Sequence, residues 1–348
     1  MQALILAGGK GTRLRPLTVY TPKPIVPLGN RPFLLSQIEI LQQAEITDVT
    51  LSLNYQPDKI EQVLDDGAEY GIKLRYLTEP QTMGTAGAYK FAADFLKTTT
   101  IILNGDILTD INLNDVIEFH RERCAKATIV LTKVENPLAY GLVTTDQDGR
   151  VEQFLEKPKA EETANLDVKT VNAGIYILEP EVLTLIPENE NYSFEYNLFP
   201  ALLAERWDVF AFVVTDTYWL DIGTPARYWQ AHQDLLAGRI KNAPRQPRRS
   251  ERADIAHTAE VDKQSLIAAD CVIKPGARVI NSVLGTGVYI EEKAVVENSV
   301  IWSHTRINSN AVVVNAVIGR GCHIGRFAHV KPGAVLGDKT SLTDYTQV

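Results

Sequence analysis

The chain has 348 residues, of which 45% are apolar and 22% charged, with a formal net charge of −8. Length and composition suit two or three domains with cores of their own, and they exclude a disordered chain. The acidic balance excludes a general nucleic-acid binder, which needs a basic face, and three scattered cysteines (Cys124, Cys271, Cys322) exclude a disulfide scaffold and fit a reducing, cytoplasmic setting.

Ala3–Ala7 reads as a short buried strand ending in Gly8-Gly9. No basic region precedes it and no small-residue site closes it, so it is not read as a signal peptide. No apolar run anywhere reaches the length of a membrane span. Helical spacing follows over 33–44, then a strand over 49–53, a helix over 58–64 and a strand over 74–77. A helix over 86–95, entered through Gly84-Thr85, precedes a strand over 100–103 that stops at Asn104-Gly105-Asp106. Short apolar strands alternating with helices indicate a mostly parallel sheet covered on both faces, a Rossmann-like α/β/α sandwich. In such sheets ligands bind beyond the carboxyl ends of the strands. Two polar clusters, 8–15 and 104–106, lie at such ends.

From Ile255 onward apolar residues recur every six positions, with steps of five at 279–284, 296–301 and 313–318. The resulting repeat is 17 residues, shared by Asn281, Asn298 and Asn315. Six is not a multiple of 3.6, and Val, Gly and Asn are frequent, so a helix fails and a triangular β-helix fits. The asparagines are expected to form a ladder at one corner, satisfying backbone groups of the next coil. The reading divides the chain into 1–236, a polar linker at 237–254 and a β-helix at 255–348. The first segment carries 20 basic and 33 acidic side chains, net −13; the linker is net +4 and the β-helix net +1. Six basic residues in the linker fit a solvated connector better than a polyanion site.

Two motifs carry chemistry. Gly8-Gly9-Lys10-Gly11-Thr12-Arg13-Leu14-Arg15-Pro16 follows the first strand directly. Its three glycines let the backbone approach a ligand with N–H groups forward, and its three bases make a phosphate cradle in an acidic domain. It is neither a Walker A loop nor the dinucleotide fingerprint, whose third glycine position is Leu14. In Thr21-Pro22-Lys23-Pro24, proline on both sides of Lys23 fixes the backbone, which suits a point charge on a phosphate.

The run LILAGGKGTRLRPLTVYTPKPIVPLGNRPFL resembles the signature of the sugar nucleotidyltransferases, or sugar-1-phosphate pyrophosphorylases. The resemblance continues through MGTAGAY, NGD, YGLV, FLEKP, VNAGIYIL, FEYNLFP and YWLDIGTP, in that order, and with the β-helix it covers nearly the whole chain. The Pro-Lys-Pro triplet, NAGIY and the β-helix look closest to the mannose-1-phosphate guanylyltransferase branch. The resemblance implies a nucleotide-diphospho-sugar transferase fold followed by a left-handed β-helix of hexapeptide repeats. It also implies that a nucleoside triphosphate and a sugar 1-phosphate react by in-line attack on the α-phosphorus, releasing pyrophosphate. Such a reaction gathers many negative charges, so Mg²⁺ is expected.

Matched residue by residue, the resemblance assigns Arg13, Lys23, Asp106 and Asp221 to catalysis, with Asp106 and Asp221 as metal ligands. Leu6, Ala7, Gly8, Gly9, Gly11, Thr12, Glu79, Gly84 and Thr85 would line the nucleotide site. Gly141, Glu156, Lys157, Asn172, Gly174 and Gly223, with Asp221, would hold the sugar phosphate. Glu79 could accept from both guanine N1–H and the 2-amino group, which favours GTP, and Gly84 is expected to leave room for the base. Gln81-Thr82-Met83 lengthens this loop relative to the guanylyltransferase pattern. The alternatives are a glucose-1-phosphate thymidylyl- or uridylyltransferase, a non-catalytic nucleotide-sugar-binding homologue, and acyl transfer using His304, His323 or His329. Neither membrane nor nucleic acid is an expected partner, and the β-helix is expected to join a homo-oligomer.

Overall fold

The structure is a computed structural model, described for residues 1–134, 140–156, 170–241 and 246–348. The chain forms two compact units. One holds Met1–Gly9 and Gln37–Trp219, the other Lys10–Ser36 and Leu220–Val348.

The first unit is built on a nine-stranded sheet. Its strands are β1 (Gln2–Leu6), β2 (Asp48–Leu53), β3 (Lys73–Thr78), β4 (Thr100–Asn104), β5 (Ala127–Lys133), β6 (Gly141–Thr145), β7 (Val151–Glu156), β8 (Thr170–Leu178) and β9 (Val209–Val213). The main path runs β7-β6-β8-β4-β1-β2-β3, with β5 beside β8 and β9 beside β5. The β4-β1-β2-β3 block is parallel, as the alternating strands and helices of its sequence require. Antiparallel pairing enters with β8, which runs against β4, β5 and β6. Burial on both faces explains runs such as IIL and IVL, which lack alternation. The main core gathers Leu4, Ile102, Ile129 and Tyr176 from the sheet with Tyr89, Phe194 and Phe199. Tyr176, Phe194 and Phe199 meet ring to ring at 5.1–5.7 Å. The helix expected over 86–95 is observed at Gly84–Phe91, and the chain continues from Ala92 in turns.

In the second unit every apolar corner of the repeat lies in a strand, from Asp254–Ile255 to Ser341–Leu342. The strands stack into three parallel sheets of six, five and five strands. Ile273, Val279, Leu284 and their 17-residue relatives fill the shared core. The sheet through Leu266–Ile267, Val283–Leu284, Val300–Ile301 and Val317–Ile318 is buried on both faces. Helix Pro225–Leu236 lies against this side of the β-helix. Trp229 donates to the Asn298 carbonyl at 2.7 Å, and Asn281 donates to Gln233 at 2.6 Å.

The asparagine period has a different cause from the expected one. Asn281, Asn298 and Asn315 sit at φ 46°, 47° and 48°, the left-handed region that asparagine tolerates. Asn281 donates to the side chain of Asn298 at 2.8 Å. Backbone groups are satisfied by a serine ladder one position on. The Ser265 hydroxyl accepts from Ser282 N, Ser282 from Ser299 N and Ser299 from Ala316 N, at 3.0–3.1 Å. His304 occupies another left-handed corner, in register with Gly287 and Gly321, while His323 and His329 lie on different sheets. Three linker arginines bond to the β-helix, while Arg239 pairs with Asp234 of the helix before it. Arg248 donates to the Gln264 carbonyl, Arg249 to those of Val261 and Asp262, and Arg252 pairs with Asp270.

Candidate active site

In the first unit the candidate residues collect where strands end, and glycines mark the close approaches. Gly105 N donates to the Leu6 carbonyl at 2.9 Å, and a Cβ at Gly105 would lie 2.6 Å from that oxygen. Only glycine fits there, so the Asn104-Gly105-Asp106 turn lies directly against Leu6-Ala7, where the glycine-rich loop begins. A Cβ at Gly8 would lie 3.1 Å from Glu79 Oε1. Glu79 is 8% exposed; its Oε1 accepts from Ser52 Oγ at 2.8 Å and its Oε2 from Met83 N at 3.2 Å. Burial raises the Glu79 pKa above the ordinary carboxylate value, and these two hydrogen bonds oppose the rise. A Cβ at Gly9 would meet nothing within 4 Å.

Gly84 and Thr85 have protein partners of their own. Gly84 has φ +73°, and a Cβ there would lie 2.6 Å from the Tyr192 carbonyl. That packing accounts for this glycine without invoking room for a base. Thr85 donates to Glu195 at 3.0 Å and accepts from Phe194 N at 2.8 Å. The lengthened loop before them is tied down, since Tyr192 N donates to the Met83 carbonyl and Asn191 to that of Thr82.

The sugar-side candidates of the first unit also cluster. Gly141 pairs with Glu156 across β6 and β7, and a Cβ at Gly141 would lie 2.6 Å from Glu156 Oε2. Asn172 accepts from Gly174 N at 2.9 Å and donates to the Tyr176 hydroxyl at 2.8 Å, which sets the irregularity between Asn172 and Tyr176 in β8. Gly174 has φ +72°, and a Cβ there would lie 2.7 Å from Asn104 Nδ2. Lys157 lies outside the described residues.

In the second unit Gly11, at φ +61°, begins the turn Thr12–Leu14. Its carbonyl accepts from Thr18 Oγ1 at 2.7 Å, and a Cβ there would lie 3.2 Å from Lys23 Cβ. Lys23 opens the short turn Lys23–Ile25, with Pro22 and Pro24 beside it. Thr12 and Arg13 are exposed. A Cβ at Gly223 would lie 3.2 Å from the Arg13 guanidinium, so Arg13 lies across Gly223. Asp221 is ion-paired with Arg227, two residues into the helix whose N-cap is Thr224.

Residues 2–238 match the family described as nucleotidyl transferase. The chain belongs to the nucleotidyl transferase family. Residues 247–348 match the family described as the EIF2B subunit epsilon LbH domain, in agreement with the parallel coils. The mannose-1-phosphate guanylyltransferase of Mycobacterium tuberculosis is 34% identical over 303 residues, 85% of this chain and 83% of the relative. The mannose-1-phosphate guanyltransferase of Debaryomyces hansenii is 41% identical over 246 residues, 69% of this chain and 64% of the relative. A crystal structure described as a putative glucose-1-phosphate thymidylyltransferase from Bacillus anthracis, in complex with a sucrose, superposes with a TM-score of 0.62 at 22% identity. It covers 71% of this chain and 98% of that one, and it shares the fold.

Several residues that shape the site of this nucleotidyl transferase were given no role by the sequence, although Tyr140, Glu195 and Trp219 lie inside quoted motifs. Gln37 Nε2 donates to the carbonyls of Asn104 and Ile107, at 2.8 and 3.0 Å, and so braces the turn holding Asp106. Glu195 accepts from Thr85, Ser193 and the Tyr176 hydroxyl, joining the loop after residue 79 to β8. Trp219 donates to the Ala173 carbonyl at 2.9 Å and meets Tyr140 edge-on at 5.5 Å. Among the described residues no group of three or more Asp, Glu, His or Cys side chains gathers as a ready metal cage. Asp106 and Asp221 supply hard oxygen donors, the chemistry Mg²⁺ takes when phosphates and water complete its shell. No helix among the described residues is long and apolar enough to cross a membrane.

Proposed function

We propose that this chain is a mannose-1-phosphate guanylyltransferase, joining GTP and mannose 1-phosphate into GDP-mannose and pyrophosphate. The observation that carries the reading is the glycine-governed junction of Leu6–Gly9, Glu79 and Asn104–Asp106. It occurs in a chain whose likeness to guanylyltransferases extends over most of its length. Gly9 has open space where a side chain would stand, which suits a phosphate drawn to backbone N–H groups.

The mannose phosphate oxygen attacks the α-phosphorus in line, and pyrophosphate leaves. Catalysis is positioning and charge stabilisation, with no enzyme nucleophile. Arg13, Gly9, Gly11 and Thr12 hold the leaving pyrophosphate, and Lys23 meets charge developing between the α-phosphate and pyrophosphate. Glu156 accepts from sugar hydroxyls and Lys157 holds the sugar phosphate, with Gly141, Asn172, Gly174 and Gly223 around them. Leu6, Ala7, Gly8 and Glu79 surround the base, and Gly84 and Thr85 support that side of the site through Tyr192 and Glu195. Asp106 and Asp221 would hold Mg²⁺, which would neutralise phosphate charge; Asp221 is also ion-paired with Arg227. A cytoplasmic setting accords with three unpaired cysteines. The reading includes a homo-oligomer joined through the β-helix, whose stacked Phe327 and Tyr345 leave apolar surface in solvent.

The test is pyrophosphate release with Mg²⁺ over a grid of triphosphates and sugar 1-phosphates. GTP with mannose 1-phosphate is expected to be fastest, and chelation of Mg²⁺ to abolish release. Preference for dTTP or UTP with glucose 1-phosphate would overturn the specificity. No release with any pair would overturn the catalytic reading.

A further inference from the structure

The Lys23 segment ends in a hairpin that cannot complete its own hydrogen bonds. Strands Pro27–Leu28 and Arg31–Pro32 pair Pro27 with Pro32, and neither proline has an N–H to give. Buried backbone groups need partners, so this hairpin must find them elsewhere. It finds them on helix Pro225–Leu236 and on Gln246, whose Oε1 accepts from Asn30 N at 3.0 Å. The Tyr228 hydroxyl donates to the Pro27 carbonyl, and Gly29 N donates to His232 Nε2 at 3.2 Å. His232 Nδ1 in turn bonds the Tyr228 carbonyl at 2.9 Å. The same Tyr228 hydroxyl accepts from Trp302 Nε1 at 3.0 Å. Tyr228 and His232 are fully buried and Trp302 is 2% exposed, so water replaces none of these bonds. Trp302 belongs to the β-helix, directly after strand Val300–Ile301.

The β-helix also touches the other flank of Lys23. A Cβ at Gly337 would lie 3.0 Å from Pro16 Cβ, and Lys339 Nζ stands 5.7 Å from the Tyr20 ring centroid. Lys23 lies between these two supports, linked to the hairpin through Val26 N, which donates to the Lys23 carbonyl at 3.2 Å. We infer that the β-helix takes part in catalysis by holding the Lys23 segment in place, with Tyr228 as the positioning residue that joins Trp302 to Pro27. This goes beyond a role in assembly, and it rests on the reading of Lys23 as a phosphate ligand.

Tyr228→Phe in the full chain removes one hydroxyl and separates Trp302 from Pro27. In the pyrophosphate-release assay kcat is expected to fall about tenfold or more, with KM for the sugar 1-phosphate within about twofold. Hydrogen–deuterium exchange is expected to speed up over Val26–Asn30, above all at Gly29 N. Trp302→Phe keeps the Pro27 bond, should give a smaller change of the same kind, and serves where Tyr228→Phe does not fold. Ser299→Ala is the control, because it weakens the β-helix ladder outside the relay. It should lower Tm and leave kcat unchanged. Wild-type exchange over Val26–Asn30 in both relay variants would overturn the inference, as would an equal loss of kcat in Ser299→Ala. Lys23→Ala keeps the two readings separable. If it retains full kcat, the role given to Lys23 fails while exchange still decides the relay.

Discussion

Glu79 occupies a position that few carboxylates hold, nearly enclosed and facing the glycine that opens the loop after β1. Each of its oxygens accepts one protein hydrogen bond and keeps one lone-pair direction, enough for the paired N–H donors of guanine. Glu79→Gln replaces one acceptor by a donor. The ratio of kcat/KM for GTP over dTTP is expected to fall about tenfold or more, worth about 1.4 kcal/mol. An unchanged ratio in the triphosphate grid would show that Glu79 serves only the Ser52–Met83 junction. Gln37 is the second residue to test. With Gln37→Leu the carbonyls of Asn104 and Ile107 lose their donor, at a cost of about 1–3 kcal/mol in stability. The displaced Asp106 turn should lower kcat, whereas a loss of Tm alone would make Gln37 purely structural.

The elements differ in how openly the sequence announces them. β1 to β4 and their helices were legible because each strand is a short run rich in apolar and β-branched residues, closed by Gly, Asn or Pro. All sixteen β-helix corners were legible because steps of six, with three of five among them, recur over more than five coils. The antiparallel entry of β8 was not, since a strand buried on both faces carries no local mark of its direction. Glycine-marked junctions such as Gly105 on Leu6 were foreseen as loop chemistry, while their partners Gln37 and Glu195 were missed. Gln37 sits in LSQIEILQQ, where a polar residue counts toward the solvent face until the fold shows it 2% exposed. The serine ladder was hidden by its neighbours, because asparagine at the corner has the more conspicuous period. It has its own consequence for stability. Ser282 accepts from Ser299 N and donates to the Ile280 carbonyl, both inside the coil. Ser282→Ala leaves the buried Ser299 N–H without this acceptor, while the Ile280 carbonyl keeps Asn298 N, and calorimetry should show about 1–3 kcal/mol of destabilisation. A Tm equal to wild type would mean that the ladder adds nothing to the stacking of the coils.

At the scale of the whole molecule, the folded chain resists a proton at one point between its helix and its signature segment. The Tyr228 carbonyl can only accept, so His232 carries its proton on Nδ1 and offers Nε2 as the acceptor for Gly29 N. Protonating Nε2 would set two N–H groups against each other in a buried site. Burial is the main cause that lowers the His232 pKa to about 4, and hydrogen bonds to backbone oppose it. In the unfolded chain the same side chain titrates near its ordinary value of about 6.5. Between those values the unfolded chain binds the proton and the folded chain does not. The contribution to stability is therefore complete above about pH 6.5 and is lost as pH falls toward about 4, an effect of up to about 3 kcal/mol. His120, also buried and shifted downward, adds in the same direction. His232→Gln can keep an acceptor for Gly29 N while removing the titration. Its stability should fall less steeply than that of the wild type between pH 6.5 and pH 4.5, measured by Tm across that range. Parallel curves for the two proteins would show that His232 is protonated in the fold and that the Gly29 bond is not what keeps it neutral.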